Sequence, residues 1–183
     1  TITQPASVLS SSIAAQTNVT CFGNATGGAT ANASGGSAPY TYSWNSSPVQ
    51  NVANATNLIA GNYTCTITDA AGCSTSNAVT ITQPAVGLSS SIASQTNVNC
   101  FGGNSGSATV AVSGGTAPYN YSWNSSPVQN GAAAINLSAG NYTCTITDAS
   151  GCSTTRGATI TQPAAALNAT IGAQANVSCF GGS

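Results

Sequence analysis

The chain has 183 residues, of which one is basic (Arg156) and two are acidic (Asp69 and Asp148), with no His, Lys or Met. Charged residues at 2%, against a usual ~25%, leave no basic surface for nucleic acid and none for charge-driven membrane docking. General acid–base chemistry has almost no titratable side chain to use, and no apolar run approaches the ~20 residues that cross a bilayer, so no enzyme, cofactor or membrane insertion is expected. In chain order, Leu9 and Ile13 suggest a first strand, and Ala29, Ala31 and Ala33 mark an apolar face of a second. Pro39 can open the next strand, because the first strand position tolerates a missing N–H. After it, Tyr40, Tyr42 and Trp44 alternate with Thr41, Ser43 and Asn45, the pattern of a half-buried strand with an aromatic inner face. Residues 50–59 read as one or two weak strands. Tyr63, Cys65 and Ile67 alternate with Thr64, Thr66 and Thr68, and Val79 and Ile81 with Thr80 and Thr82.

Asp69-Ala70-Ala71-Gly72-Cys73 joins the last two of these strands. Asp caps such a turn through its side chain, and Gly takes the left-handed position of a three-residue hairpin loop. The implied register pairs Ile67 with Thr75 and Tyr63 with Val79. It also puts Asn77 and Arg156 on the core face, which a bulge in the last strand would relieve. No 3.6-residue apolar period appears, so no helix is predicted. Short antiparallel strands at this spacing predict an all-β fold, a β-sandwich.

The whole pattern occurs twice. Thr1-Ile2-Thr3-Gln4-Pro5 returns at Thr80 and Thr159, each 79 residues on, and 57 of 79 positions are identical between 1–79 and 80–158 without a gap. The second copy repeats the apolar face as Ala108, Val110 and Val112 and the aromatic one as Tyr119, Tyr121 and Trp123, with Tyr142 matching Tyr63. A unit of this size buries a core of its own. The expected domains are therefore 6–84 and 85–163, with 1–5 the end of a preceding repeat and 164–183 the start of a following one, a window on a longer array. Gln83-Pro84-Ala85 connects the units with no Gly/Ser linker, and Pro84 stiffens the join. An extended rod is expected if the strand count is odd, with 1–5 and 164–183 docked on neighbouring repeats.

The order Cys21, Trp44, then Tyr63-Thr64-Cys65 resembles an immunoglobulin domain, although the Cys21–Trp44 interval is longer. A more specific resemblance lies in Cys100-Phe101-Gly102-Gly103, Gly114-Gly115-Thr116-Ala117-Pro118-Tyr119-Asn120-Tyr121-Ser122-Trp123, Leu137-Ser138-Ala139-Gly140-Asn141-Tyr142, Asp148-Ala149-Ser150-Gly151-Cys152 and the Thr-Ile-Thr-Gln-Pro end. These resemble the SprB repeat, which builds giant surface adhesins of gliding bacteria exported by the type IX secretion system. The resemblance implies tandem immunoglobulin-like repeats in a secreted, non-catalytic cell-surface stalk or filament. Its partners would be neighbouring repeats, other copies in a filament, or surface polysaccharide. Cys65 and Cys144 depart from the family, which has Val there.

An extracellular setting makes disulfides the expected role of the seven cysteines. Metal binding would want Cys-x-x-Cys or His partners, and neither occurs. Three cysteines per repeat is an odd number, so two types pair, within or between repeats, and the third stays free or bridges chains. The family pattern retains the Cys21 and Cys73 types, which favours a pair drawn from Cys21, Cys73, Cys100, Cys152 and Cys179. The immunoglobulin likeness favours Cys21 with Cys65 instead. Cys65 and Cys144 are expected as buried free thiols or as that alternative partner.

Twelve Asn-x-Ser/Thr triplets occur, at Asn18, Asn24, Asn32, Asn45, Asn54, Asn62, Asn120, Asn124, Asn136, Asn141, Asn168 and Asn176. They are glycosylation candidates on an exposed, secreted surface, and glycans would keep an uncharged fibre soluble. The aromatics at 40, 42, 44 and 63, and at 119, 121, 123 and 142, share strand parity, which favours a core over a sugar-binding platform. One Asp per repeat is too few for calcium.

Overall fold

A computed structural model of the chain describes residues 7–173. Its regular structure is all strand among the described residues. The first half holds β1 (Ser10–Thr17), β2 (Gly27–Ser34), β3 (Thr41–Trp44), β4 (Asn54–Leu58), β5 (Gly61–Thr68) and β6 (Ser74–Ile81). The second holds β7 (Ser89–Thr96), β8 (Gly106–Ser113), β9 (Asn120–Trp123), β10 (Ala133–Leu137), β11 (Gly140–Thr147) and β12 (Ser153–Ile160), so every boundary recurs 79 residues on. Antiparallel sheets β1-β2-β4 and β3-β5-β6 enclose the first core, and β7-β8-β10 and β9-β11-β12 the second. The fold is an immunoglobulin-like antiparallel β-sandwich in each half.

Alternation decides which face goes in. In β5, Tyr63, Cys65 and Ile67 are buried between outward Thr residues, and they meet Ala29 and Ala31 of β2 and Ala55 and Leu58 of β4 across the sandwich. Gly27 lets the two sheets approach: a Cβ there would stand 2.6 Å from Ile81 Cγ2 and 2.7 Å from the Leu58 carbonyl. Gly106 repeats this against Ile160 and Leu137. Trp44 ends β3 as the largest fully buried side chain and donates its indole N–H to the Val52 carbonyl at 2.9 Å.

The hairpin register is Tyr63 opposite Val79 and Ile67 opposite Thr75. The last strand carries no bulge; Gly140–Thr147 pairs with Ile160–Ser153 residue for residue. Asn77 and Arg156 need no such relief because they lie at the rim between the sheets. There Asn77 donates to the Ser11 carbonyl at 2.8 Å, and Arg156 to the Ser90 carbonyl. Register shifts occur elsewhere: in β1 and β7, between Ile13 and Ala15 and between Ile92 and Ser94, and in the β2–β4 and β8–β10 pairings.

Those rim contacts also fix strand direction. Ser11 lies by Thr75 and Asn77, Gln16 donates to the Thr80 carbonyl, and Val19 N–H donates to the Thr82 carbonyl. Sequence numbers rise together, so β1 and β6 run parallel. The chain therefore enters each sandwich at one pole and leaves at the other. The expectation tied this geometry to an odd strand count, yet each half has six. Parity fails as a guide because β3 and β4 run the same way. The chain between them doubles back and bridges Trp44 to Gln50, so 50–59 supplies one strand and one isolated bridge.

Three further expectations are corrected. Pro39 precedes β3 by two residues rather than opening it. Tyr40, Tyr42, Tyr119 and Tyr121 are half-buried, because β3 and β9 are edge strands and part of each ring lies at the sandwich margin. Residues 164–173 are exposed, with Leu167 99% and Ile171 94% accessible, rather than docked on a neighbour. They match the lead-in to β7 and its first residues, whose apolar side chains need a β8-type partner to lie against. Residues 1–5 and 174–183 fall outside the described residues.

Candidate functional site

The chemistry-bearing residues gather at two loops in each repeat. The first follows β1. Cys21 opens a tight turn closed by Asn24 N–H donating to the Cys21 carbonyl at 3.0 Å, with Gly23 at φ 79°. Gly23 N–H donates to Gln83 Oε1 at 2.8 Å, which ties the loop to the residue before Pro84. Around Cys100, Gly103, Gly102 and Gln162 repeat the arrangement, at 3.0 Å and 2.9 Å.

The second loop is the β5–β6 hairpin. Asp69 Oδ1 accepts from Ala71 N–H at 3.0 Å and from Cys73 N–H at 2.9 Å, and Oδ2 accepts from Ser37 N–H at 3.0 Å. Gly72 holds φ 84°. The Ser37 N–H, outweighing burial and helped by those of Cys73, Ala71 and Gly72, holds the Asp69 carboxyl below the usual carboxylate range. At Asp148, burial alone would raise the value, but the N–H groups of Thr116, Cys152, Ser150 and Gly151 outweigh it and the net shift is again downward. Both carboxylates are thus turn-builders with their oxygens engaged. No group of three or more His, Cys, Asp or Glu gathers as a metal cluster among the described residues.

The two loop types meet between repeats. Cys21, in the first sandwich, is disulfide-bonded to Cys152, in the second, with a Cα–Cα distance of 5.6 Å and 131 residues of sequence separation. Cys152 is the counterpart of Cys73, so the bridge joins the first-position cysteine of one repeat to the third-position cysteine of the next. Phe22 reaches across beside it: a Cβ on Gly87 would stand 3.3 Å from the ring. A cleft of about 370 Å³ lies along this junction, lined by Phe22, Asn24, Leu88 and Ser153 among others.

Cys73 and Cys100 are free and exposed; Cys179 lies outside the described residues. Cys65 and Cys144 are free and fully buried, and burial pushes both thiols up from the ordinary value. The immunoglobulin-style pair of Cys21 with Cys65 does not form. Cys65 sits in mid-strand opposite Trp44, inside the core, whereas Cys21 stands on a loop outside it. The partner in the next repeat was not readable from spacing, because a 79-residue period looks the same for pairing within a repeat and between repeats.

Eleven of the twelve candidate asparagines are described, and all eleven are exposed; Asn176 lies outside. Several use only the amide oxygen. Asn45 Oδ1 accepts from Thr64 N–H at 2.8 Å and Asn62 Oδ1 from the Thr80 hydroxyl at 2.7 Å, which leaves each Nδ2 outward. Trp44 and Trp123 are each 1% accessible, so neither indole offers a sugar platform. A cleft recurs in each repeat beside Pro48 and Gln50, and beside Pro127 and Gln129. Its Gln50 amide is already committed at both ends to the backbone of Thr56. No helix among the described residues is long and apolar enough to cross a membrane.

Comparison with known proteins follows the same division. No curated protein is significantly similar in sequence. Among solved structures, the three N-terminal domains of the Highly Immunogenic Outer Capsid protein of bacteriophage RB49 are similar at 16% identity and TM-score 0.44, over 85% of this chain and 59% of that one. The N-terminal eight Ig domains of Down Syndrome Cell Adhesion Molecule are similar at 13% identity and TM-score 0.33, over 85% and 25%. DIP-gamma IG1+IG2 is similar at 12% identity and TM-score 0.34, over 83% and 97%. The chain thus spans about three-fifths of the capsid fragment. The sandwich assignment rests on the sheet topology rather than on these likenesses. The SprB repeat family matches at residues 13–49 and again at 92–128, the stretch from β1 to just past β3 and its copy from β7 to just past β9. Each sandwich thus contains one stretch that is similar to the SprB repeat.

Proposed function

We propose that the chain is a structural segment of an extracellular, cell-surface adhesin stalk or filament, with no catalytic role. The observation that carries this reading is the parallel run of β1 beside β6. It puts the two ends of each sandwich at opposite poles, so that adding repeats adds length. The Cys21–Cys152 bridge supports it further, because it ties successive repeats covalently where tension would pull them apart. A disulfide there fits an oxidising, extracellular setting. The domains would be 6–84 and 85–163. The exposed Asn-x-Ser/Thr side chains would carry sugars that solvate a surface almost devoid of charge.

The alternative is a carbohydrate-binding module. Nothing in the site favours it over the stalk, since both indoles are buried and the recurring cleft has its glutamine amide occupied. Small-angle scattering on the chain, with glycan-array binding alongside, separates the two. The stalk reading expects a maximum dimension close to two sandwich lengths end to end and no saturable sugar binding. Folded-back sandwiches with specific glycan binding would overturn it.

A further inference from the structure

The two sheets of each sandwich have edges along two rims, and the rims are closed differently. β1 and β6 share one, where Val19 N–H donates to the Thr82 carbonyl at 2.9 Å and Gln16 to the Thr80 carbonyl at 2.7 Å. β3 and β4 form the other, each the last strand of its sheet. An open strand edge offers unpaired N–H and C=O groups to any passing strand, and proteins commonly blunt it with Lys or another charge. Here β3, β4, β9 and β10 hold no charged residue. Apolar side chains are exposed there besides: Val49, Val52 and Ile59 flank β4, Val128 precedes β10 and Ile135 lies in it.

One residue spans this rim. Gln50 accepts the Trp44 N–H on its main-chain carbonyl at 2.9 Å, which engages the edge of β3. Its side-chain amide pairs with the edge of β4 as a neighbouring strand would. Thr56 N–H donates to Gln50 Oε1 at 3.0 Å, and Gln50 Nε2 donates to the Thr56 carbonyl at 2.8 Å. Gln129 repeats all three bonds, from Trp123 N–H at 2.9 Å, from Ile135 N–H at 3.0 Å and to the Ile135 carbonyl at 2.9 Å. Around it Val52 has become Gly131, Thr56 has become Ile135 and Ile59 has become Ser138. The pairing survives because it uses only the backbone of β4 and β10.

We propose that Gln50 and Gln129 are edge guards that stand in for the missing charges. Each fills the place of an added strand on β4 or β10, and so bars the same edge of a second copy of this chain from pairing there. Two such edges would meet antiparallel about a two-fold axis, with the exposed Val and Ile side chains adding apolar contact. An amide suits the task because it presents a carbonyl oxygen and an N–H together, the complement of a backbone peptide group. The guard is needed most in a chain whose surface has almost no charge to keep copies apart. It holds whether or not the chain is a stalk.

The test uses the full chain with its exposed thiols alkylated by iodoacetamide, so that thiol coupling cannot imitate association. In the unmutated protein the Thr56 and Ile135 amides should exchange with deuterium at least tenfold more slowly than in an unstructured peptide of the same sequence. Gln50→Ala with Gln129→Ala should remove that protection. In sedimentation velocity, this pair should raise the associated fraction at least tenfold over the unmutated chain as concentration rises. Gln50→Glu with Gln129→Glu loses the bond to the Thr56 carbonyl but puts a charge on the edge, and should stay monomeric. A third pair, Gln50→Asn with Gln129→Asn, is one methylene too short to reach Thr56. It should associate as the alanine pair does, and it decides the matter where thermal melts show that the alanine pair does not fold. A merely stabilising role would lower the melting temperatures and leave every pair monomeric, which would overturn the proposal. Equal association of the glutamate and shortened pairs would overturn it too, as would unprotected Thr56 and Ile135 amides in the unmutated chain.

Discussion

The two sandwiches differ at few core positions, and the differences cluster at the same places. In the first, Ser11 hydroxyl lies 3.3 Å from the Thr75 hydroxyl and 3.4 Å from Asn77 Nδ2, so it is satisfied. In the second, Arg156 stands where Asn77 does and donates to the Ser90 carbonyl, and the Ser90 hydroxyl is left buried with no partner. Opposite Tyr63 sits Val79, and the ring is buried; opposite Tyr142 sits Ala158, and the ring is half-exposed. The second sandwich regains apolar volume on the other sheet, where Val110 and Val112 replace Ala31 and Ala33. The apolar pattern of both inner faces is kept, while the rim drifts. That is how a core tolerates substitution as long as volume and pattern are preserved.

The comparison can be broken most sharply at the tryptophans. Trp44→Ala should cost the first sandwich about 3–5 kcal/mol, the usual range for a fully buried Trp, and Trp123→Ala the same in the second. Each sandwich holds one Trp, so the remaining indole reports on the other unit. Urea melts followed by fluorescence should show the untouched sandwich unfolding near its original midpoint. If both units collapse together, they are not separate cores.

Acid should treat the two alike. Asp69 and Asp148 have carboxyls depressed in the fold, so their stabilisation is present above the unfolded value near pH ~3.9. It is lost as pH falls through the lower folded values. Unfolding midpoints should therefore drop below about pH 4 in both sandwiches, and Asp69→Asn with Asp148→Asn should flatten that drop. A midpoint that rises on acidification would contradict the turn-building role.

The smallest effect discriminates between the sandwiches best. Ser11→Ala removes a satisfied hydroxyl and should cost about 1 kcal/mol. Ser90→Ala removes an unpartnered one and should be neutral or slightly stabilising. Equal losses at the two sites, measured by urea unfolding, would mean that Ser90 has a partner after all.

Much of this architecture was legible in the sequence for local reasons. The Asp-x-x-Gly-Cys turn sets the β5–β6 register, and parity sends Trp44 and Cys65 inward. What stayed hidden depends on non-local geometry. Alternation places Asn77 and Arg156 inward, where a bulge would relieve them, but only the folded rim shows that inward there means facing an open edge. Tyr40 and Tyr42 are only half-buried because β3 is an edge strand, which parity does not reveal. The reach of Cys21 to Cys152 was hidden most deeply, since the family resemblance favours the types that pair, against the immunoglobulin likeness, and the 79-residue period says nothing of which copies meet.

The central claim is that tension passes through the inter-repeat bridge. Pulled from its two ends in a force spectrometer, the oxidised chain should keep the 131-residue loop between Cys21 and Cys152 out of the stretched path. Adding a reductant should release roughly 450 Å of further contour length, at about 3.5 Å per residue. Equal contour lengths with and without reductant would show that the bridge carries no load and would contradict the account.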